Sequence, residues 1–140
     1  MIVLDTNIIS ETMRPRPNAT VVAWLDHQPA GELYLCTPVL AELHYGIFRL
    51  VDSARKATLL GVCDQIVGEV FEGRILTFDV PAAEAYGKLV AELQSEGNPI
   101  TVIDAMIAAI AQSNSATLAT RNTAHFIKTG VTLVNPFGAA

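Results

Sequence analysis

The sequence predicts an α/β chain: a three-layer α/β/α sandwich with a central, mainly parallel sheet of four to five strands. Three observations lead there. Short apolar runs alternate along the chain with segments of helical periodicity. A helix-sized stretch separates almost every pair of strand-like runs, which is the connection parallel strands require. Apolar residues make up 51% of the composition, which suits a sheet buried on both faces. At 140 residues the chain is expected to form one domain, 1–140, with a sizeable core.

Ile2-Val3-Leu4 is a buried strand ending at Asp5, and Thr6 is placed to cap a short helix over residues 7–12. Pro15 and Pro17 break the chain, and Asn18 caps a second helix carrying Val21, Val22, Trp24 and Leu25. Leu33-Tyr34-Leu35-Cys36 is the second strand. Thr37-Pro38 starts a helix with proline at its first position and an apolar face of Val39, Leu40, Leu43, Ile47 and Leu50. A helical stretch over residues 53–71 stops at Gly73, and a third strand covers residues 74–78. Pro81 opens a helix through Leu93, ended by Gly97-Asn98-Pro99. Thr101 then caps a helix apolar on nearly every side, in which Asp104 is the only ionisable side chain. A fourth strand over residues 117–120, a short helix over residues 123–126 and a last strand over residues 131–134 complete the chain.

Composition excludes several classes. No run of 18 or more uncharged apolar residues occurs, which argues against a membrane-spanning helix. The start has no basic segment and reaches Asp5 at once, unlike a secretory signal. Cys36 and Cys63 lack metal-ligand or redox spacing and read as reduced thiols of a cytoplasmic protein. A formal net charge of −5 argues against general electrostatic binding of nucleic acid, though not against an enzyme whose site charge comes from bound cations. His44 is read as a surface or packing residue, and His27 and His125 have no nameable partner. Trp24, Tyr34 and Tyr45 are read as core or interface aromatics.

In open parallel sheets, ligands bind beyond the carboxyl ends of the strands. Asp5 ends the first strand, Glu42 lies in the second turn of the helix after the second, Asp104 opens the apolar helix, and Arg121-Asn122 come directly after the fourth strand. Singly, Asp5 and Asp104 could be helix caps and Glu42 a solvated charge; together they define one acidic site. Three carboxylates without a nearby Lys or Arg repel one another, and a hard divalent cation removes the repulsion. Oxygen donors without a His or Cys cluster point to Mg²⁺ or Mn²⁺. Such an ion binds phosphodiester oxygens and lowers the pKa of an attacking water, so the reaction class is phosphodiester hydrolysis.

These residues carry a family resemblance. Leu4-Asp5-Thr6-Asn7, Ala41-Glu42-Leu43-x-x-Gly46, Ile103-Asp104-Ala105-x-Ile107-Ala108 and Ala119-Thr120-Arg121-Asn122-Thr123-x-x-Phe126 together resemble PIN-domain nucleases. Their order and spacing resemble VapC-type toxins of bacterial type II toxin–antitoxin modules, particularly the FitB-like branch, over essentially the whole chain. The resemblance implies a PIN fold, Mg²⁺- or Mn²⁺-dependent ribonuclease activity, a homodimer, and inhibition by a cognate VapB-like antitoxin through which operator DNA is reached. It places Asp5, Glu42 and Asp104 in the metal-binding set, with Thr6, Asn7 and Thr120 as supporting polar residues. Asn122 falls where many relatives carry a fourth acidic residue; it is assigned to the catalytic set but adds no charge. The helices around residues 18–28 and 38–70 are candidate surfaces for self-association and for the antitoxin. The alternatives are a catalytically weak binding module within an antitoxin–DNA complex, and a small-molecule hydrolase, for which no phosphate-cradling glycine loop is seen.

Overall fold

A computed structural model describes residues 1–138; the last two residues of the expected domain lie outside the described residues. Five strands run parallel in one sheet: β1 (Ile2–Leu4), β2 (Leu33–Cys36), β3 (Ile75–Leu76), β4 (Thr117–Ala119) and β5 (Leu133–Val134). Their order is β3-β2-β1-β4-β5, so the chain builds outward from β1 on one side and returns to build on the other. The helices are α1 (Thr6–Thr12), α2 (Ala19–His27), α3 (Thr37–Phe48), α4 (Ala54–Gln65), α5 (Val80–Ser95), α6 (Val102–Ser113) and α7 (Thr123–Phe126). They cover both faces of the sheet, and the predicted α/β/α sandwich is observed. Among the described residues no helix is long and apolar enough to cross a membrane.

The central strands are apolar on both faces because helices bury both. Val3, Leu35, Cys36, Leu118 and Ala119 are all fully buried. Register sets how the chain leaves the sheet. Val3 pairs with Leu118 and Leu4 with Ala119, so the residues after β1 and β4 emerge side by side. Asp5 N–H continues the ladder with a 2.9 Å bond to the Ala119 carbonyl. The gap between β1 and β4 is therefore the point where strand order reverses, the place where open α/β sheets form crevices.

Several local expectations need correction. Asp5, not Thr6, caps α1: its carboxylate accepts the Thr6 N–H, and Thr6 is the first helical residue. Cys36 precedes α3, so Pro38 is its second residue rather than its first. Thr101 caps α6 by accepting the Asp104 N–H at 3.2 Å, as expected. The stretch over 53–71 is α4, capped by Ser53, running into a π-helical turn, Ile66–Val70. This widening reflects a tertiary demand. The Arg74 guanidinium bonds the carbonyls of Val70, Ala30 and Leu33 and lies 5.2 Å over the Phe71 ring, which ties the end of that turn to the start of β2. β3 and β5 are only two residues long, because Asp79 starts α5 at once and Gly130, at φ +77°, turns the chain just before β5.

α6 packs along α5 and carries the largest share of the core from one helix: Ala105 and residues 107–111 are buried. Its first residue, Val102, is 62% exposed, so the helix is buried along its length but open at its start. Ile110→Ala should lower stability by about 2–5 kcal/mol, the usual range for truncating a buried aliphatic side chain. Val102→Ala should change it by less than about 0.5 kcal/mol. Urea denaturation of the two variants checks both values.

Candidate active site

Asp5 is the centre of the site. It leaves the sheet between two strands and is 4% exposed, so its charge depends on its donors. Oδ1 accepts the Thr6 N–H at 2.8 Å. Oδ2 accepts the Thr120 hydroxyl at 2.7 Å and the Asn7 amide at 3.3 Å. Thr120, fully buried after β4, in turn accepts the Asn122 N–H at 3.0 Å. The Asn7 side-chain oxygen Oδ1 accepts the Arg121 N–H at 3.0 Å, so Asn7 ties α1 to the loop after β4. The three supporting residues expected from the sequence all hold carboxylates or the loop beside them.

Glu42 sits on α3, on the β2 side of Asp5, and its Oε1 accepts the Thr6 hydroxyl at 2.5 Å. Asp104 opens α6, its side chain 19% exposed, with Oδ2 3.6 Å from His125 Nδ1 on α7. Burial raises the pKa of Asp5, opposed by its hydrogen bonds to Thr120 and Thr6, and Asp104 adds a further upward push. Burial also raises Glu42, with Asp5 and Asp104 both pushing in the same direction. The three carboxylates thus share one electrostatic neighbourhood. The thiol of Cys36, at the end of β2, is pushed up to about 12, chiefly by burial, and is no nucleophile at neutral pH.

Among the described residues no three His, Cys, Asp or Glu side chains stand close enough to hold one ion as a group. The donor chemistry nevertheless fits a hard divalent cation. The donors are carboxylate oxygens, and such ions bind through one or two carboxylates while keeping several waters. Burial is the main cause of the raised Asp5 and Glu42 values and mutual repulsion adds to it, and a bound cation would offset both.

The expected residues do not contribute equally. The Asn122 backbone is fixed beside the site: its N–H donates to Thr120, its carbonyl accepts the His125 N–H, and its side chain makes no capping bond in α7. His125, by contrast, belongs to the site, although its partner could not be named from the sequence. Its contact depends on α7 packing against α6, which no local pattern encodes; its place just after the polar residues that follow β4 is the available signal. His44 is a packing residue as expected, bonding the Leu40 carbonyl at 2.8 Å and stacking on Phe48. Tyr45 is 69% exposed, which suits an interface rather than the core.

Two clefts flank the acidic edge. One, of about 300 Å³, reaches Thr6 and Glu42 and is lined by Leu43, Leu59, Arg14 and Arg55. The other, of about 320 Å³, opens at Asp104 between the α5–α6 turn and α7.

A five-stranded parallel sheet with a buried aspartate at its reversal point and two further carboxylates beside it defines a class, and the sequence matches it. The PIN-domain family model covers residues 2–131, and the chain belongs to that family. It is 41% identical to Toxin FitB of Neisseria gonorrhoeae over 98% of this chain and 99% of that protein. It is 36% identical to VapC ribonuclease Y4jK of Sinorhizobium fredii over the full length of both. The solved structure of FitAB bound to an IR36 DNA fragment superposes with a TM-score of 0.92 at 39% identity, covering 100% of this chain and 98% of that one.

The raised pKa values have a testable consequence for stability. Asp5 and Glu42 bind protons more tightly folded than unfolded, so their contribution to stability is complete below the ordinary carboxylate values of about 4 and is lost as pH rises through the raised ones. In EDTA, the melting temperature of wild type relative to Glu42→Gln should therefore fall as pH rises from about 4 to 7. Millimolar Mg²⁺ or Mn²⁺ at neutral pH should restore the wild type and not the variant. Thermal melts over that range, with and without metal, decide it.

Proposed function

We propose that the chain is the toxin of a type II toxin–antitoxin pair and that it hydrolyses RNA phosphodiester bonds with Mg²⁺ or Mn²⁺. The observation that carries this reading is the placement of Asp5, Glu42 and Asp104 from three elements at one sheet edge, with Asp5 buried and held by Thr6, Asn7 and Thr120. Nothing in helix capping requires Asp5 to be buried against Thr120, or Glu42 to be bonded to the residue beside Asp5. Names among the relatives, a toxin and a ribonuclease, support the same reading.

Asp5 and Asp104 would hold the ion, directly or through water, with Glu42 completing the acidic set. When bound, the ion supplies a water of lowered pKa and positive charge against the negative charge developing on the phosphodiester. Thr120 fixes the orientation of Asp5, and Thr6 joins Asp5 to Glu42 through its N–H and hydroxyl. Asn7 keeps the Arg121 loop against α1. The acidic edge repels a phosphodiester in the absence of a cation, so the metal that the chemistry needs would also favour binding.

The partner proposed is a VapB-like antitoxin that contacts operator DNA, as a FitAB complex with DNA is among the similar structures. Exposed apolar side chains at the end of α3 and beyond, Tyr45, Phe48 and Val51, supply surface for the antitoxin or for a second copy in a homodimer.

Antitoxin-free protein should cleave a mixed cellular RNA pool with Mg²⁺ or Mn²⁺ and not with EDTA. Asp5→Asn or Asp104→Asn should abolish cleavage while leaving the circular dichroism spectrum unchanged; an active Asp5→Asn protein would sink the assignment. Thr120→Val should weaken metal affinity by about 10–100-fold, the usual cost of losing a group that orients a ligand, and isothermal titration measures it.

A further inference from the structure

The cleft between the α5–α6 turn and α7 has a chemistry distinct from the acidic edge it adjoins. Leu93 is buried at its base, Ile100 is half-buried and Pro99 is exposed at its rim. His125 and Lys128 line the α7 side, and Asp104 stands where the cleft meets the site. Among the described residues lining it, Lys128 carries the only permanent positive charge and Asp104 the only carboxylate. Lys128 makes no ion pair among the described residues, and its side chain is exposed. The volume, about 320 Å³, lies at the lower end of the range for small-ligand sites.

We propose that this cleft seats the nucleotide next to the cleaved phosphodiester, its base against Leu93, Pro99 and Ile100 and its outer phosphate on Lys128. The proposal rests on the ribonuclease reading and adds a subsite to it. An apolar surface with a lone cation at the far side matches one nucleotide, which has a flat apolar face and one negative charge. Continuity with Asp104 places that nucleotide beside the reacting phosphate. The bare ring of His125, 61% exposed beside Asp104, offers a further N–H toward the sugar-phosphate.

The test uses full-length protein in the Asp5→Asn background, so that binding of fluorescein-labelled single-stranded RNA octamers is measured without cleavage. Lys128→Ala should weaken binding at least fivefold and make the salt dependence shallower by about 0.7, the slope of one phosphate contact on a single strand. Ala124→Trp, from an exposed position on the cleft wall, should fill the cleft and weaken binding at least tenfold. Lys88→Ala removes an equal charge from the exposed side of α5 and should bind like the parent. In the otherwise wild-type enzyme, Lys128→Ala should raise KM with kcat within twofold. Ala124→Trp binding as the parent overturns the seat even if Lys128→Ala weakens it, and wild-type cleavage would then leave the ribonuclease reading standing. If the wild type cleaves no RNA and the Asp5→Asn protein binds none, the ribonuclease reading fails and the subsite with it.

Discussion

The structure depends on a buried charge. Asp5 is placed by the sheet where solvent cannot reach it, and it is kept there by donors from two separate regions of the chain. An unpaired carboxylate in that position would cost several kcal/mol, about the margin by which a domain of this size is stable. Thr6, Asn7 and Thr120 offset that cost only in part, since Asp5 still holds its proton more tightly than a free carboxyl group. The residual cost is local, and it lies where a cation would remove it. Structure and site therefore constrain each other: the residues that make Asp5 tolerable are those that aim it.

The apolar environment around the acids is part of the same arrangement. Cys36, Leu4 and Ala119 surround the carboxyl ends of the central strands and keep the local dielectric low. Low dielectric amplifies the mutual influence of Asp5, Glu42 and Asp104, which in water would be weak. The same side chains are core residues, so the packing that stabilises the sheet also sets the electrostatics of the edge. The alternative of a binding module without catalysis would leave this arrangement as a standing cost without a use.

Much of this is legible in the sequence, because it derives from strand ends. Asp5, Glu42 and Asp104 can be assigned to one edge once the strands are read as parallel, and the pairing of β1 with β4 brings Thr120 to Asp5. The features that stay hidden depend on contacts between elements. His125 reaches Asp104 only because α7 rests on α6. The π-helical turn answers to Arg74, whose three carbonyl partners come from two stretches distant in the chain. Asn122 is legible as a position beside the site, whereas its backbone bond to Thr120 follows only from the turn after β4. The sequence offers both Asp5 and Thr6 as caps of α1, and only the sheet ladder decides between them.

The strand order also sets when the site can exist during synthesis. β1 is made first but is central, with β2 on one side and β4, nearly at the other end of the chain, on the other. A ribosome that has produced α3 has released Asp5 and Glu42 but neither Asp104 nor Thr120. Half the sheet then lacks its neighbour, and a parallel sheet offers no hairpin that could close early. For the ribonuclease proposed above, a growing polypeptide that has not reached β4 would lack Thr120 beside Asp5 and so a complete site. The site is complete only once β4 has paired with β1, so its chemistry would follow the closing of the whole sheet.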